Sequence, residues 1–345
     1  MNILIASTTV PFVEGGGSLI TDWLELKLKE YGYKTETLKI PFLSHYPSML
    51  EQMKALRLFN VIDNVDRLIT IRTPSYLLRH PNKVIWFIHH HRGAYDFWGT
   101  KYQDIPNNKG GRRIREAIIE ADNQSLFEAK KIFANSQVVS NRLKTFNNVG
   151  SEILYPPLLN SESFNSQQYG DYIFYPSRIV HHKRQHLAIE AMKYTKSDVK
   201  LIIAGKSGSG SMTSFIASKI KQNNVEDKIT FINRWISEEE KIRLLANSLA
   251  CTYIPYDEDS YGYVSLEAYH SKKAIITCID SGGVLELVEN GVNGLVTLPD
   301  PKELARCFDQ IFYDKQLAKK LGESGIEKVS SLNITWDNVI GRLLQ

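Results

Sequence analysis

Short apolar runs alternate with helix-patterned segments along the whole chain, and they fall into two series. The first comprises residues 3–6, 35–40, 67–71, 84–88, 131–134 and 153–155; the second comprises 172–175, 200–204, 229–232, 250–254, 274–278 and 294–297. Runs this short and this rich in β-branched residues read as strands buried on both faces of a parallel sheet. Between the first two, Ile20, Leu24, Leu28 and Tyr31 recur at helical spacing. Residues 160–170, rich in Ser, Asn and Gln and closed by Gly170, read as a linker between the series. The expectation is an α/β protein of two doubly wound parallel-sheet domains, whose ligands bind beyond the carboxyl ends of the strands.

At 345 residues the chain is long for one core and comfortable for two. No apolar run approaches the roughly 18 residues needed to span a bilayer. The opening residues Met1, Asn2 and Ile3 carry no charged leader and read as the first buried strand, not a signal peptide. Cys251, Cys278 and Cys307 are widely spaced in apolar contexts, which fits a cytoplasmic protein and neither a disulfide framework nor a zinc site. Residues 1–158 carry 20 Lys+Arg against 15 Asp+Glu, leaving 22 against 23 for the rest. The excess suggests an anionic partner there, such as the inner face of a membrane or a lipid diphosphate; a solvated basic face explains it equally. No nucleic-acid partner is expected. The glycine clusters at 15–17 and 205–210 are neither G-x-G-x-x-G nor a P-loop, which weighs against a dehydrogenase or an ATPase.

The chemistry concentrates after the run 250–254. Asp259 and Glu267 stand eight positions apart around a turn containing Tyr261 and Gly262, where a helix opens. The amides of Tyr263, Val264 and Ser265 would face the crevice, as helix N-termini face phosphates. Glu267, a turn further on, would accept from a pair of hydroxyls. A carboxylate for a sugar, amides for a diphosphate and a second carboxylate for a ribose describe a nucleotide-sugar site.

This pattern resembles the E-x7-E motif of glycosyltransferase family 4, retaining enzymes of the GT-B fold, with Asp259 in place of the first Glu and Glu267 matching the second. Arg178 and Lys183 match the family's G-R-x4-K-G segment, with Ser177 and Arg184 where its glycines stand. A guanidinium fork and an ammonium neutralise a leaving diphosphate without a metal; surface basic residues capping a helix are the plain alternative. Gly16 and Gly17, with Gly15, match a glycine loop near the phosphates and acceptor. Asp280, Gly282, Gly283 and Glu286 resemble a D-x-G-G-x-x-E turn beside the nucleotide, or simple structural punctuation. Arg234 and Trp235 fall where the family contacts the base, although a buried Trp reads equally well.

His89, His90 and His91 end a strand, so alternation would put His89 and His91 on one face. His89 aligns with the family's histidine near the donor sugar, whereas a metal on His89 and His91 lacks a third ligand. Arg92, Tyr95 and Asp96 are acceptor-side candidates. Asp257 and Asp259 also spell D-x-D, the manganese motif of the other large glycosyltransferase fold. Two strand–helix series oppose that fold, so Asp259 is assigned to sugar hydroxyls, and Asp257 and Glu258 to solvated loop positions.

The resemblance implies two Rossmann-like domains facing across a cleft: 1–158 on the acceptor side, 159–329 for the donor, and 330–345 as a helix returning to the first domain. It implies transfer of a sugar from a nucleoside-diphosphate sugar to a glycan or lipid-linked acceptor with retention, in bacterial polysaccharide or lipopolysaccharide synthesis. Neither metal nor cofactor is required, and the departing phosphate takes the acceptor proton. A phosphorylase, a sugar-nucleotide epimerase and a non-catalytic sugar-nucleotide scaffold remain alternatives.

Overall fold

The computed structural model describes residues 1–12, 16–43 and 48–345. Backbone contacts divide it into two units: Met1–Pro156 with Ile334–Gln345, and Pro157–Asn333. Unit 1 runs β1 (Asn2–Thr9), α1 (Gly16–Glu30), β2 (Lys34–Pro41), α2 (Met49–Leu56), β3 (Arg67–Thr70), β4 (Lys83–Phe87), α3 (Lys109–Phe127), β5 (Lys131–Ala134), α4 (Gln137–Asn147) and β6 (Glu152–Ile153). Unit 2 runs β7 (Tyr172–Pro176), α5 (Gln185–Met192), β8 (Lys200–Ala204), α6 (Gly210–Asn223), β9 (Ile229–Ile232), α7 (Glu238–Asn247) and β10 (Ala250–Thr252). It continues with α8 (Tyr263–His270), β11 (Ile275–Cys278), β12 (Gly294–Thr297), α9 (Pro301–Tyr313) and α10 (Lys315–Ser331). The last helix, α11 (Trp336–Leu344), belongs to unit 1.

Every apolar run of the two series forms a strand, and every strand pairing within the two sheets is parallel. The fold is α/β, with two doubly wound parallel-sheet units, as the sequence predicts. Alternation along buried strands divides unit 1's core between two faces. On one, Ile3, Ile5, Ile69, Trp86 and Phe133 pack with Ile20, Leu24 and Leu28 of α1 and Val339, Ile340 and Leu343 of α11. On the other, Leu68, Ile85 and Phe87 pack with Met49 and Met53 of α2, Ile118 of α3 and Leu143 of α4. Apolar stripes on α1 and α11 thus cover one face, and those of α2, α3 and α4 the other.

The strand orders place the ligand crevices. Unit 1 is ordered β2-β1-β3-β4-β5-β6 and unit 2 β12-β11-β10-β7-β8-β9. The direction of winding reverses between β1 and β3 in unit 1, and between β7 and β10 in unit 2. Loops leaving neighbouring strands at such a reversal diverge to opposite faces, and the gap between them is where ligands of these sheets bind. Among the described residues no helix is long and apolar enough to cross a membrane.

Candidate functional site

Most of the predicted donor residues of unit 2 leave the two strands that flank its reversal, while Arg234 and Trp235 follow β9. Ser177, Arg178 and Lys183 follow β7; Asp259 and the turn into α8 follow β10. Lys183 closes a short 3-10 turn, His181–Lys183, and its side chain is buried, not a solvated helix cap. Its Nζ donates to the Tyr253 hydroxyl at 2.6 Å and pairs with the Glu258 carboxylate. Burial lowers the Lys183 ammonium's pKa, and the adjacent Glu258 counters it. The charges of Arg178 and Asp259 also bear on Lys183, the first lowering its pKa and the second raising it. Arg178 is exposed, and its carbonyl accepts from Gln185 Nε2 at 2.9 Å. Ser177 Oγ accepts from the same nitrogen at 2.8 Å. The assignment of Glu258 to a solvated loop position is corrected: a buried ammonium demands a counter-ion, and Glu258 supplies it.

Arg184, where the motif resemblance would put a glycine, adopts the left-handed conformation that glycine favours, at φ 57°, ψ 34°. Such a backbone costs an L-residue about 1–2 kcal/mol, and the side chain offsets it. Nη1 and Nη2 each donate to an Asp280 oxygen at 2.7 Å, Nε to the Ile254 carbonyl at 2.7 Å, and Nη2 to that of Pro255 at 2.8 Å. One guanidinium therefore fastens the loops that follow β7, β10 and β11. Burial works against its charge, but the Asp280 pair wins and raises the Arg184 pKa. The Gly282–Gly283 pair packs against this assembly. A Cβ at Gly282 would lie 2.5 Å from Glu258 N, and one at Gly283 2.5 Å from Ser260 Cα. The glycines thus admit the 257–260 loop, the close loop packing that both readings of this turn require.

Gly262 precedes α8 with φ 71°, and a Cβ there would sit 2.6 Å from the Tyr253 ring. The helix therefore starts hard against the tyrosine that holds Lys183. Ser265 N donates to the Gly262 carbonyl at 3.0 Å, so this amide turns back into the helix and does not join those of Tyr263 and Val264. Tyr261 is buried, and its carbonyl accepts from Ser265 Oγ at 2.7 Å. Glu267 is buried and accepts from Lys241 Nζ of α7 at 2.5 Å. Burial pushes its carboxyl up, and Lys241 partly offsets that. Beyond β9, Arg234 pairs with Glu240 through two bonds of 2.7 and 2.8 Å. Trp235 is 52% exposed, not buried, and open to stacking.

In unit 1, Gly16 and Gly17 open α1; Gly15 lies outside the described residues. A Cβ at Gly17 would meet Arg72 at 3.1 Å, placing that guanidinium at the β1/β3 reversal. β4 stops at Phe87, so strand alternation does not extend through the histidine run. His90 and His91 are both buried, and His89 is half-buried with Nδ1 2.7 Å from the His90 carbonyl. Among the described residues no three His, Cys, Asp or Glu side chains gather as a metal site. The acceptor-side candidates turn inward. Tyr95 is buried and donates to Asp122 at 2.7 Å, while Arg92 Nε donates to Asp96 at 2.6 Å. Tyr76 also donates to Asp122 at 2.9 Å, and His90 Nε2 lies 2.7 Å from Asn147 Oδ1.

Sequence reasoning missed Glu258, Tyr253, Gln185, Lys241 and the Arg184–Asp280 pair. Only the last left a signal: a charge standing where the family has glycine, with an acid in another motif.

Residues 160–328 match the family described as Glycosyl transferases group 1. A curated relative, Alpha-1,3/1,6-mannosyltransferase ALG2 of Homo sapiens, is 26% identical over 226 residues, covering 57% of this chain and 53% of its own length. The chain thus spans about half the length of that relative. Among solved structures, sucrose-phosphate synthase from Thermosynechococcus elongatus superposes with a TM-score of 0.81 at 17% identity, covering 99% of this chain and 98% of that one. HepE of Anabaena, solved in complex with UDP, gives 0.71 at 16% identity, covering 100% and 99%. Both likenesses are of fold.

Two outcomes follow from the geometry. Arg184→Gly relieves the backbone but strands Asp280, so urea unfolding of unit 2 should show a net loss of about 1–3 kcal/mol. Asp280→Asn in that background should add little. In unit 1, burial raises the Asp122 carboxyl to about 7 and lowers His90 to about 4. A carboxyl raised on folding loses stability as pH rises through that range, whereas a histidine lowered on folding loses stability as pH falls through it. The two slopes oppose each other. Urea unfolding of Asp122→Asn should therefore improve relative to wild type as pH rises from about 4 to about 7, and a gap that stays constant would refute the Asp122 shift.

Proposed function

We propose that the protein is a retaining, metal-independent glycosyltransferase that moves a sugar from a nucleoside-diphosphate sugar to a hydroxyl of a glycan or lipid-linked acceptor. The observation that carries this reading is the meeting, at the β7/β10 reversal, of the exposed Arg178, the buried Lys183 and the opening of α8. Cations and helix amides of this kind stabilise a departing diphosphate, whose charge grows as the glycosidic bond breaks. Glu267, on the buried side of α8, is assigned to the ribose, Trp235 to the base and Asp259 to the sugar. The match of residues 160–328 to the group 1 family supports sugar transfer. The mannosyltransferase relative and the UDP complex of HepE support a hexose on a nucleoside diphosphate. A role in bacterial polysaccharide or lipopolysaccharide synthesis is part of this proposal, as is peripheral contact of the basic unit 1 with an anionic membrane.

The deciding assay is nucleotide release from UDP-, GDP-, ADP- and dTDP-sugars with candidate acceptor saccharides, in EDTA. One donor should turn over despite chelation, and Glu267→Gln should reduce kcat/KM by at least about tenfold, on the scale of one lost charged hydrogen bond. Activity abolished by EDTA would overturn metal independence and return Asp257 and Asp259 to the manganese reading. The membrane contact predicts co-sedimentation with anionic vesicles that disappears at high salt; absence of binding at low salt would refute it.

A further inference from the structure

We propose that Glu258 is the resident counter-ion of Lys183, displaced when a diphosphate binds, and that its charge sets how tightly the site holds a nucleoside diphosphate. The inference rests on the nucleotide-sugar reading of this site. The Lys183 side chain is 9% exposed, and the Glu258 carboxylate and the Tyr253 hydroxyl occupy its ammonium. A diphosphate neutralised by Arg178 and Lys183 would bring its oxygens to the position this carboxylate already holds. Two anions cannot share one ammonium in a poorly solvated crevice without strong repulsion.

The loop is built so that only the side chain has to move. Glu258 N donates to the Ser281 carbonyl at 3.3 Å, and the Glu258 carbonyl accepts from Gly283 N at 2.8 Å. Gly282 packs against the same backbone, which Arg184 and Asp280 fix from below. The carboxylate itself rides on three rotatable bonds, with the side chain 17% exposed, and can swing into solvent while the Asp259 backbone stays in place. Two other site charges are also paired internally, Glu267 with Lys241 and Arg234 with Glu240. Those pairs concern the ribose and base side; Glu258 alone among the three sets negative charge against the diphosphate position. The carboxylate also favours the charged form of the buried ammonium, so Lys183 is held ready for a ligand at the cost of affinity.

The test is calorimetric titration of UDP, GDP, ADP and dTDP into the full chain carrying wild-type sequence, Glu258→Gln, Glu258→Ser, Lys183→Met, or Glu258→Gln with Lys183→Met. Both uncharged substitutions at 258 should bind the preferred nucleotide at least about threefold more tightly than wild type, and the gain should vanish without Lys183. Binding that is unchanged or weaker in both variants, while Lys183→Met weakens wild type, would overturn the counter-ion role and leave the donor site standing. No binding of any nucleotide to wild type or variants would instead sink the nucleotide-sugar reading, and this inference with it.

Discussion

The Arg184 guanidinium is the contact on which the shape of unit 2's site depends. Three loops leave adjacent parallel strands, beyond which only an isolated bridge, Glu258 with Gly282, continues the pairing among them, and each carries a residue of the site. Four hydrogen bonds from one side chain tie the loop after β7 to the carbonyls closing β10 and to the acid that follows β11. Tyr175 adds a second tie, donating to the Lys183 carbonyl and accepting from Ile254 N at 3.3 Å. Tyr256 N adds a third, donating to the His182 carbonyl at 2.7 Å. The positions of Lys183, Glu258 and Asp259 are consequences of these ties more than of the strands themselves.

Charge in this region is arranged as pairs inside unit 2. Lys183 faces Glu258, Lys241 faces Glu267 and Arg234 faces Glu240. Two of the pairs include a buried group, where an uncompensated charge would be costly. A site built to recognise a charged ligand but stable without one needs such stand-ins, and any ligand must exchange with them. Affinity then reflects a difference between two sets of pairings, not the sum of new contacts.

The fold was legible because its signal is repeated: each strand is a short apolar run, and parallel strands buried on both faces leave little ambiguity. The positions of Arg178, Lys183 and Gly262 were legible too, because they sit at fixed offsets from strand ends. Their partners were not. Glu258 looks like a solvated acid in a polar loop, and only the distant Gly282–Gly283 turn brings it onto Lys183. Tyr95 and Asp96 read as acceptor-side candidates, and nothing in the sequence shows that the 3-10 turn Arg92–Ala94 brings Tyr95 onto Asp122 of α3. Alternation through His89, His90 and His91 failed because the strand that would have enforced it ends at Phe87. Long-range pairing between loops has no period, and single-sequence patterns do not carry it.

The last helix changes the order in which the chain can be assembled. Unit 2 is one uninterrupted stretch, Pro157–Asn333, whereas unit 1 takes Val339, Ile340 and Leu343 of α11 into the core beside α1. During synthesis the amino-terminal sheet emerges first but lacks this cover until the rest of the chain has followed. The face formed by Ile3, Ile5 and Trp86 would wait with part of its apolar surface bare while the second unit closes. The half that is translated first draws part of its core from residues translated after the second half.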